Sequence, residues 1–113
     1  MPSAKSAAVL GRFEHLVLLA ALHVRGDIYA VSIGAEIERR TGVRPARGAV
    51  YTTLARLEAK GFLLSSRGAA TPVRGGKAKR VYRLTIQGRQ ALQRARSDMV
   101  LAWPRVARLL GDR

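Results

Sequence analysis

Three short runs of apolar residues spaced three or four apart, followed by two alternating segments, narrow the possible folds more than any other feature of this chain. In the first run Leu10, Phe13, Val17, Ala20 or Ala21, and Val24 share one helical face. Gly26 and Asp27 interrupt it, and Ile33 and Ile37, flanked by Ala30 and Gly34, form a second, shorter stripe. Gly42 after Thr41 supplies a glycine stop, and Pro45 opposes continuation. The third run sets Val50, Leu54 and Leu57 on one face and stops at Lys60 and Gly61, a cation in the last turn followed by a residue free to turn left-handed.

The pattern then changes period. Residues 62–66 and 80–84 read as strands, the second with Tyr82 and Leu84 alternating with Val81 and Arg83. Between them lies RGAATPVRGGKAK, rich in Gly and small residues, which makes a hairpin with a long basic tip the expected structure. Thr85 offers an N-cap hydroxyl to a long helix. Along that helix Leu92, Ala95, Met99, Ala102, Val106 and Leu109 alternate threes and fours, a seam of the kind that packs against another helix. Pro104 lies inside the seam, so a kink or a restart after Trp103 is expected.

Helix, helix, helix, hairpin, long helix is the order of a winged helix-turn-helix, with the third helix in the major groove and the wing along the backbone or minor groove. The expected fold is mainly α with a small β-hairpin, in three parts. Residues 1–8 form a frayed terminus, 9–85 a winged helix-turn-helix domain and 86–113 a C-terminal helix. At 113 residues the chain suits one compact domain, and its 48% apolar but only 5% aromatic content requires an aliphatic core.

Charge points to the partner. There are 21 Lys and Arg against 7 Asp and Glu, a net charge of +14, an excess that a polyanion usually compensates. No carboxylate occurs between Glu58 and Asp98, while ten basic residues, Lys60 to Arg96, fall in that interval. The absence of cysteine removes disulfides and thiolate metal sites and suits an intracellular location. The longest apolar run, residues 16–21 extended to 24, is too short for a bilayer, which needs about 20 apolar residues.

The third helix has an unusual outer side. With Val50, Leu54 and Leu57 turned inward, Gly48, Thr52, Ala55 and Ala59 fall opposite, flanked by Tyr51 and Arg56. A merely solvated face would more often carry Glu, Lys and Gln. Small residues allow close approach of a large object, and the major groove, about 12 Å wide, admits a helix without bulky outward side chains. In that setting Arg47 and Arg56 reach guanine edges or phosphates, Thr52 and Thr53 phosphate oxygens or a thymine methyl, and Tyr51 a phosphate. Packing of the same small face against a protein helix is an equal alternative until the hairpin is considered. Its five basic residues from Arg67 to Arg80, without an acid, favour DNA.

Three segments carry a family resemblance: YAVSIGAEIERRTG at residues 29–42, GAVYTTLARLEAKGFL at 48–63 and RGGKAKRVYRLTIQG at 74–88. In this order they resemble the PadR family of transcriptional regulators over roughly residues 10–95. The pattern G-x-x-Y-x-x-L-x-R-L-E-x-x-G is the more specific part and Y-R-L-T-x-x-G supports it. The resemblance implies a cytoplasmic, homodimeric, DNA-binding repressor without a cofactor, in which the C-terminal helix mediates dimerisation and a small aromatic or hydrophobic molecule acts as effector. It places Gly48, Tyr51, Thr52 and Arg56 on the recognition helix and Arg74, Lys77, Lys79 and Arg80 on the wing. In one departure, Ala46 stands where family members commonly have a Ser or Thr cap, whose loss costs about 1 kcal/mol.

The expected function is a transcriptional regulator binding double-stranded DNA at an inverted repeat. Arg47, Gly48, Tyr51, Thr52, Thr53, Arg56, Arg74, Lys77, Lys79 and Arg80 would hold DNA. Leu92, Ala95, Met99, Ala102, Trp103, Val106 and Leu109 would form the dimer seam, and Trp103 with its mate would line an effector pocket. The alternatives are a sequence-neutral architectural or RNA-binding basic protein, for which the charge alone suffices, and a protein-interaction module. Enzymatic readings have little support: Glu36 and Glu38 are two apart and do not face one another, and no nucleophile or phosphate-loop motif occurs. His15 and His23 lack the convergent partners a zinc site needs.

Overall fold

The structure, a computed structural model, describes residues 10–67, 80–103 and 105–111. Helices α1 (Arg12–His23), α2 (Ala30–Thr41) and α3 (Arg47–Ala59) precede strands β1 (Leu63–Arg67) and β2 (Arg80–Leu84); α4 (Ile86–Ala102) and a short α5 (Val106–Leu110) follow. The glycine stops act as the residue types require: Gly42 after α2 and Gly61 after α3 take φ of 80° and 82°, a region open to Gly at no steric cost. The Gly42 N–H donates to the Glu38 carbonyl at 2.8 Å, and the Phe62 N–H to the Leu57 carbonyl at 2.9 Å.

β1 and β2 are antiparallel, in register from Leu63↔Leu84 to Arg67↔Arg80. The first strand starts one residue later than its sequence suggests, because Phe62 belongs to the turn that closes α3. A third segment joins the ribbon through a single bridge, Ile28↔Tyr82, with the Tyr82 N–H donating to the Ile28 carbonyl at 2.9 Å. The stretch around Gly26 and Asp27 is therefore more than an interruption. One bridge contains no alternation to read, which is why the sequence pattern does not reveal it.

The core is one aliphatic cluster. Val17 and Leu18 of α1, Ile33 of α2, Leu54 and Leu57 of α3, and Leu63 of β1 are completely buried, and Phe62, Tyr82, Ala91 and Leu92 join them. Each such Leu or Ile contributes roughly 1.5–3 kcal/mol by leaving water. Residues 1–9, where fraying is expected, and Pro104 lie outside the described residues. On either side of position 104, α4 ends at Ala102 and a new helix begins at Val106, with Trp103 at φ −130°, ψ 59° between them.

The start of α4 is joined to the end of α3. The Thr85 hydroxyl accepts from the Gly88 N–H at 3.0 Å and donates to the Gly61 carbonyl at 2.7 Å. The Thr85 N–H donates to the Phe62 carbonyl at 3.1 Å. Gly88 is buried, and a Cβ there would stand 2.4 Å from the Phe62 carbonyl oxygen and 2.8 Å from Leu84 Cδ1. Backbone cannot move aside as a side-chain tip can, so this position requires glycine. Gly88→Ala is expected to destabilise by about 1–3 kcal/mol through overpacking. Gly48→Ala, with nothing within 4 Å of the added carbon, leaves the urea midpoint unchanged or raises it; equal midpoints for the two variants would contradict this account.

Candidate nucleic-acid interface

The segment leading into α3 is held from several sides. Thr41 donates its hydroxyl to the Ile37 carbonyl at 2.8 Å, and Arg44 Nη1 donates to Glu38 Oε1 at 2.8 Å. Pro45 and Ala46 then lead into the helix, and Ala46 at φ −62°, ψ 138° gives it no side-chain cap. Its first-turn N–H groups therefore point forward without a side-chain acceptor.

Rotation of α3 about its axis is fixed by burial. Val50, Leu54 and Leu57 are inward, and Gly48, Thr52, Ala55 and Ala59 are all exposed on the opposite side. Tyr51 stands out on one flank with half its surface free (51%), and Arg47 and Arg56 are exposed. Thr53 is different. It is 5% exposed, so it cannot offer its hydroxyl to a duplex as expected. The spacing contains the reason: Thr53 is three residues after Val50 and four before Leu57, which places it in the inward stripe.

The exit of α3 is tied to α1 through Glu14, a buried carboxylate that sequence reasoning passed over. Glu14 Oε1 accepts from Lys60 Nζ at 2.7 Å and from the Gly11 N–H at 2.7 Å. Burial pushes the Glu14 carboxyl up, but Lys60, the Gly11 N–H and the charge of Arg56 outweigh it, leaving the group below the ordinary glutamate range. On the other flank Glu58 accepts from the Ser65 hydroxyl at 2.5 Å, and Arg80 Nη1 donates to Ser65 Oγ at 3.0 Å. The recognition-helix candidate is thus connected both to the first helix and to the root of the wing.

The basic residues fall into two groups. On α2, Arg39 and Arg40 both bind Glu36, and Arg44 binds Glu38. Hydrogen bonds from Arg39 and then Arg40 lower the Glu36 carboxyl to about 2. Among the described residues Arg47, Arg56, Arg67 and Arg80 form no ion pair, and neither do Arg12, Arg25, Arg83 and the arginines from Arg89 to Arg108, so their charge is available to something else. Arg74, Lys77 and Lys79 lie outside the described residues.

Order of elements, an outward small-residue face on the third helix and a basic ribbon beside it together define a winged helix-turn-helix. The chain matches the Transcriptional regulator PadR-like family model over residues 18–94. It belongs to that family. A curated relative, transcriptional regulator Rv3488 of Mycobacterium tuberculosis, is 40% identical over 78 residues, covering 67% of this chain and 68% of the relative. A transcriptional regulator from Clostridium thermocellum superposes with a TM-score of 0.67 at 20% identity, over 88% of this chain and 97% of the other. Bacillus subtilis PadR, solved in complex with operator DNA, superposes with a TM-score of 0.59 at 20% identity, over 73% of this chain and 45% of its own. As a member of the PadR-like transcriptional regulators the protein is not an enzyme.

The C-terminal seam divides in this PadR-like chain. Leu92 is 7% exposed and belongs to the protomer's own core, together with Ala91. It lies where α4 crosses α1, so an intermolecular role for it is corrected here. Ala95 is half-buried, whereas Met99, Ala102, Trp103, Val106 and Leu109 are exposed. Beside them an open apolar groove of about 530 Å³ runs between α1 and α4, lined by His15, Leu19, Leu22, Leu92, Ala95 and Met99 among others. Trp103 does not line it. Among the described residues no three His, Cys, Asp or Glu converge as metal ligands, and no helix is long and apolar enough to cross a membrane.

The two lowered carboxylates set an acid limit. A carboxyl whose folded value lies below its unfolded one contributes stability above the unfolded value and loses it as pH falls through the folded one. For Glu36 that window runs from the ordinary 4.5 down to about 2. Unfolding free energy is expected to fall across this interval, and Glu36→Gln to flatten part of the fall. A variant with the same acid-side slope as wild type would rule out this linkage.

Proposed function

We propose that this PadR-like regulator binds duplex DNA as a homodimer, each protomer placing α3 in one of two major grooves about one helical turn apart. One observation carries the proposal: the outward face of α3, Gly48, Thr52, Ala55 and Ala59, is exposed and flanked by Arg47 and Arg56 without ion pairs among the described residues. Arg47, Gly48, Tyr51, Thr52 and Arg56 meet base edges and nearby phosphates. Arg74, Lys77, Lys79 and Arg80 of the wing add salt-dependent affinity by counterion release. The solved complex of Bacillus subtilis PadR with operator DNA supports DNA binding by the shared fold. Repression at an inverted repeat in the cytoplasm is the biological reading that follows.

Dimerisation is assigned to the exposed strip of Met99, Ala102, Trp103, Val106 and Leu109, with Ala95 at its edge. Large apolar side chains left in water on two successive helices favour a partner surface. Trp103, 64% exposed, is the proposed contact of a flat hydrophobic effector within the dimer. Titration with a broad panel of aromatic compounds is expected to change its emission, and the absence of any response with DNA binding intact rules that role out. Leu109→Asp is expected to shift the sedimentation coefficient toward that of a monomer at micromolar concentration. An unchanged dimer would place the interface elsewhere.

The rival reading is a sequence-neutral basic protein, which the net charge of +14 would serve equally. Selection of bound fragments from random genomic DNA distinguishes them. A regulator retains roughly a 10³-fold or greater preference for its own site over unrelated duplex at moderate salt, and a neutral binder enriches nothing. On the selected site Arg56→Ala is expected to cost about 1–3 kcal/mol and relax preference at one position, whereas Lys77→Ala weakens all sequences alike. Identical behaviour of the two variants across sequences would refute the division of roles.

A further inference from the structure

Arg67 ends β1 and Arg80 begins β2, and the two are register partners. Directly opposed residues of an antiparallel pair project from the same face of the ribbon. That face also carries Leu63, Ser65, Tyr82 and Leu84, and burial identifies it as the inner one: Leu63 and Tyr82 are in the core. The two arginines therefore extend the core-facing side of the ribbon outward, on the side where Ser65 meets Glu58 of α3.

Like charges directly opposite one another are destabilising. Neither arginine forms an ion pair among the described residues, and the tip that joins them contains no carboxylate anywhere in its sequence. What holds Arg80 is neutral: its Nη1 donates to Ser65 Oγ at 3.0 Å, and Ser65 is itself anchored by donating to Glu58. The wing root thus presents two exposed guanidinium groups from facing positions. One arm is tied to α3 through Ser65 and Glu58, and neither forms an ion pair among the described residues.

We propose that Arg67 and Arg80 form a clamp for a single backbone phosphate of duplex DNA, set at a fixed distance from α3 by the Ser65 to Glu58 link. The clamp rests on the DNA-binding reading above and adds to it a defined phosphate at the root of the wing, with Arg67 as a contact outside the wing residues already assigned. Guanidinium donors match phosphate oxygens in geometry and charge, and one phosphate between the arms relieves their mutual repulsion.

Sharing one phosphate gives a numerical signature. Each phosphate neutralised contributes about 0.9 to the slope of log K against log salt. The proposed homodimer carries one clamp per protomer, so the double variant Arg67→Ala, Arg80→Ala is expected to lose about two such increments, about 1.8 in slope, and between 50 and 200 mM salt its affinity falls less than that of wild type by a factor of about 12. Two separate phosphates in each protomer would give a loss of about 3.6 in slope, and no contact a loss of zero; either result overturns the clamp. Both arginines are exposed, and a urea midpoint equal to wild type checks that folding is intact.

A scan of neutral methylphosphonate linkages along the duplex provides the second measurement. One symmetry-related pair of linkages, one in each half-site, is expected to reduce wild-type binding to the level of the double variant, and to have no further effect on the double variant. Absence of such a position, with wild type still binding the unmodified duplex, removes the clamp and leaves the general DNA-binding reading standing. Failure of wild type to shift any duplex removes both.

Discussion

Insertion of the Val50, Leu54 and Leu57 stripe into the shared aliphatic core is the interaction on which the rest of the structure depends. A helix with one buried stripe has no freedom to rotate about its axis, so the direction of every other side chain on α3 follows from it. α1 and α2 both pack on α3, and Val17, Leu18 and Ile33, all completely buried, form the surface that receives the stripe. Only after that placement do the small outward residues and the two flanking arginines become a face. The ion pair from Glu14 to Lys60 then fixes the far end of the helix, where packing alone would leave a cation on a turn.

Much of this was legible in the chain, and for identifiable reasons. Gly42 and Gly61 end helices because a left-handed residue is needed there, and Thr85 caps α4 because a hydroxyl one residue before a helix finds a free N–H. These are local requirements, readable from residue type. What escaped was non-local or shared. Ile28 pairs with Tyr82 across more than fifty positions, and Glu14 meets Lys60 across |i−j| of 46, distances at which spacing carries no information. Thr53 and Leu92 were misplaced for a different reason: a polar residue in a buried stripe looks like a contact, and an apolar residue at the start of a long seam looks like part of it. In both cases burial decided, since neither position has solvent on the side where its role required it.

The distribution of charge has a similar logic. The acids of this chain are scarce, and among the described residues those on α1 and α2 are engaged: Glu14 with Lys60, Glu36 with two arginines, Glu38 with Arg44. Arg39, Arg40, Arg44 and Lys60 therefore have carboxylate partners, while the arginines of α3 and the wing root, like those of α4 and α5, have none among the described residues. A high net charge destabilises a compact state through self-repulsion, and the arginines without carboxylate partners retain that repulsion.

The tight seat of Gly88 on the Phe62 carbonyl has a mechanical consequence. With Thr85 bonded to the consecutive carbonyls of Gly61 and Phe62, there is no slack between the C-terminal rod and the end of α3. Any torque that swings the rod is delivered across a joint only a few ångströms long. In the proposed dimer, subunit arrangement and grip would be geared together at this point, with no separate transmission required.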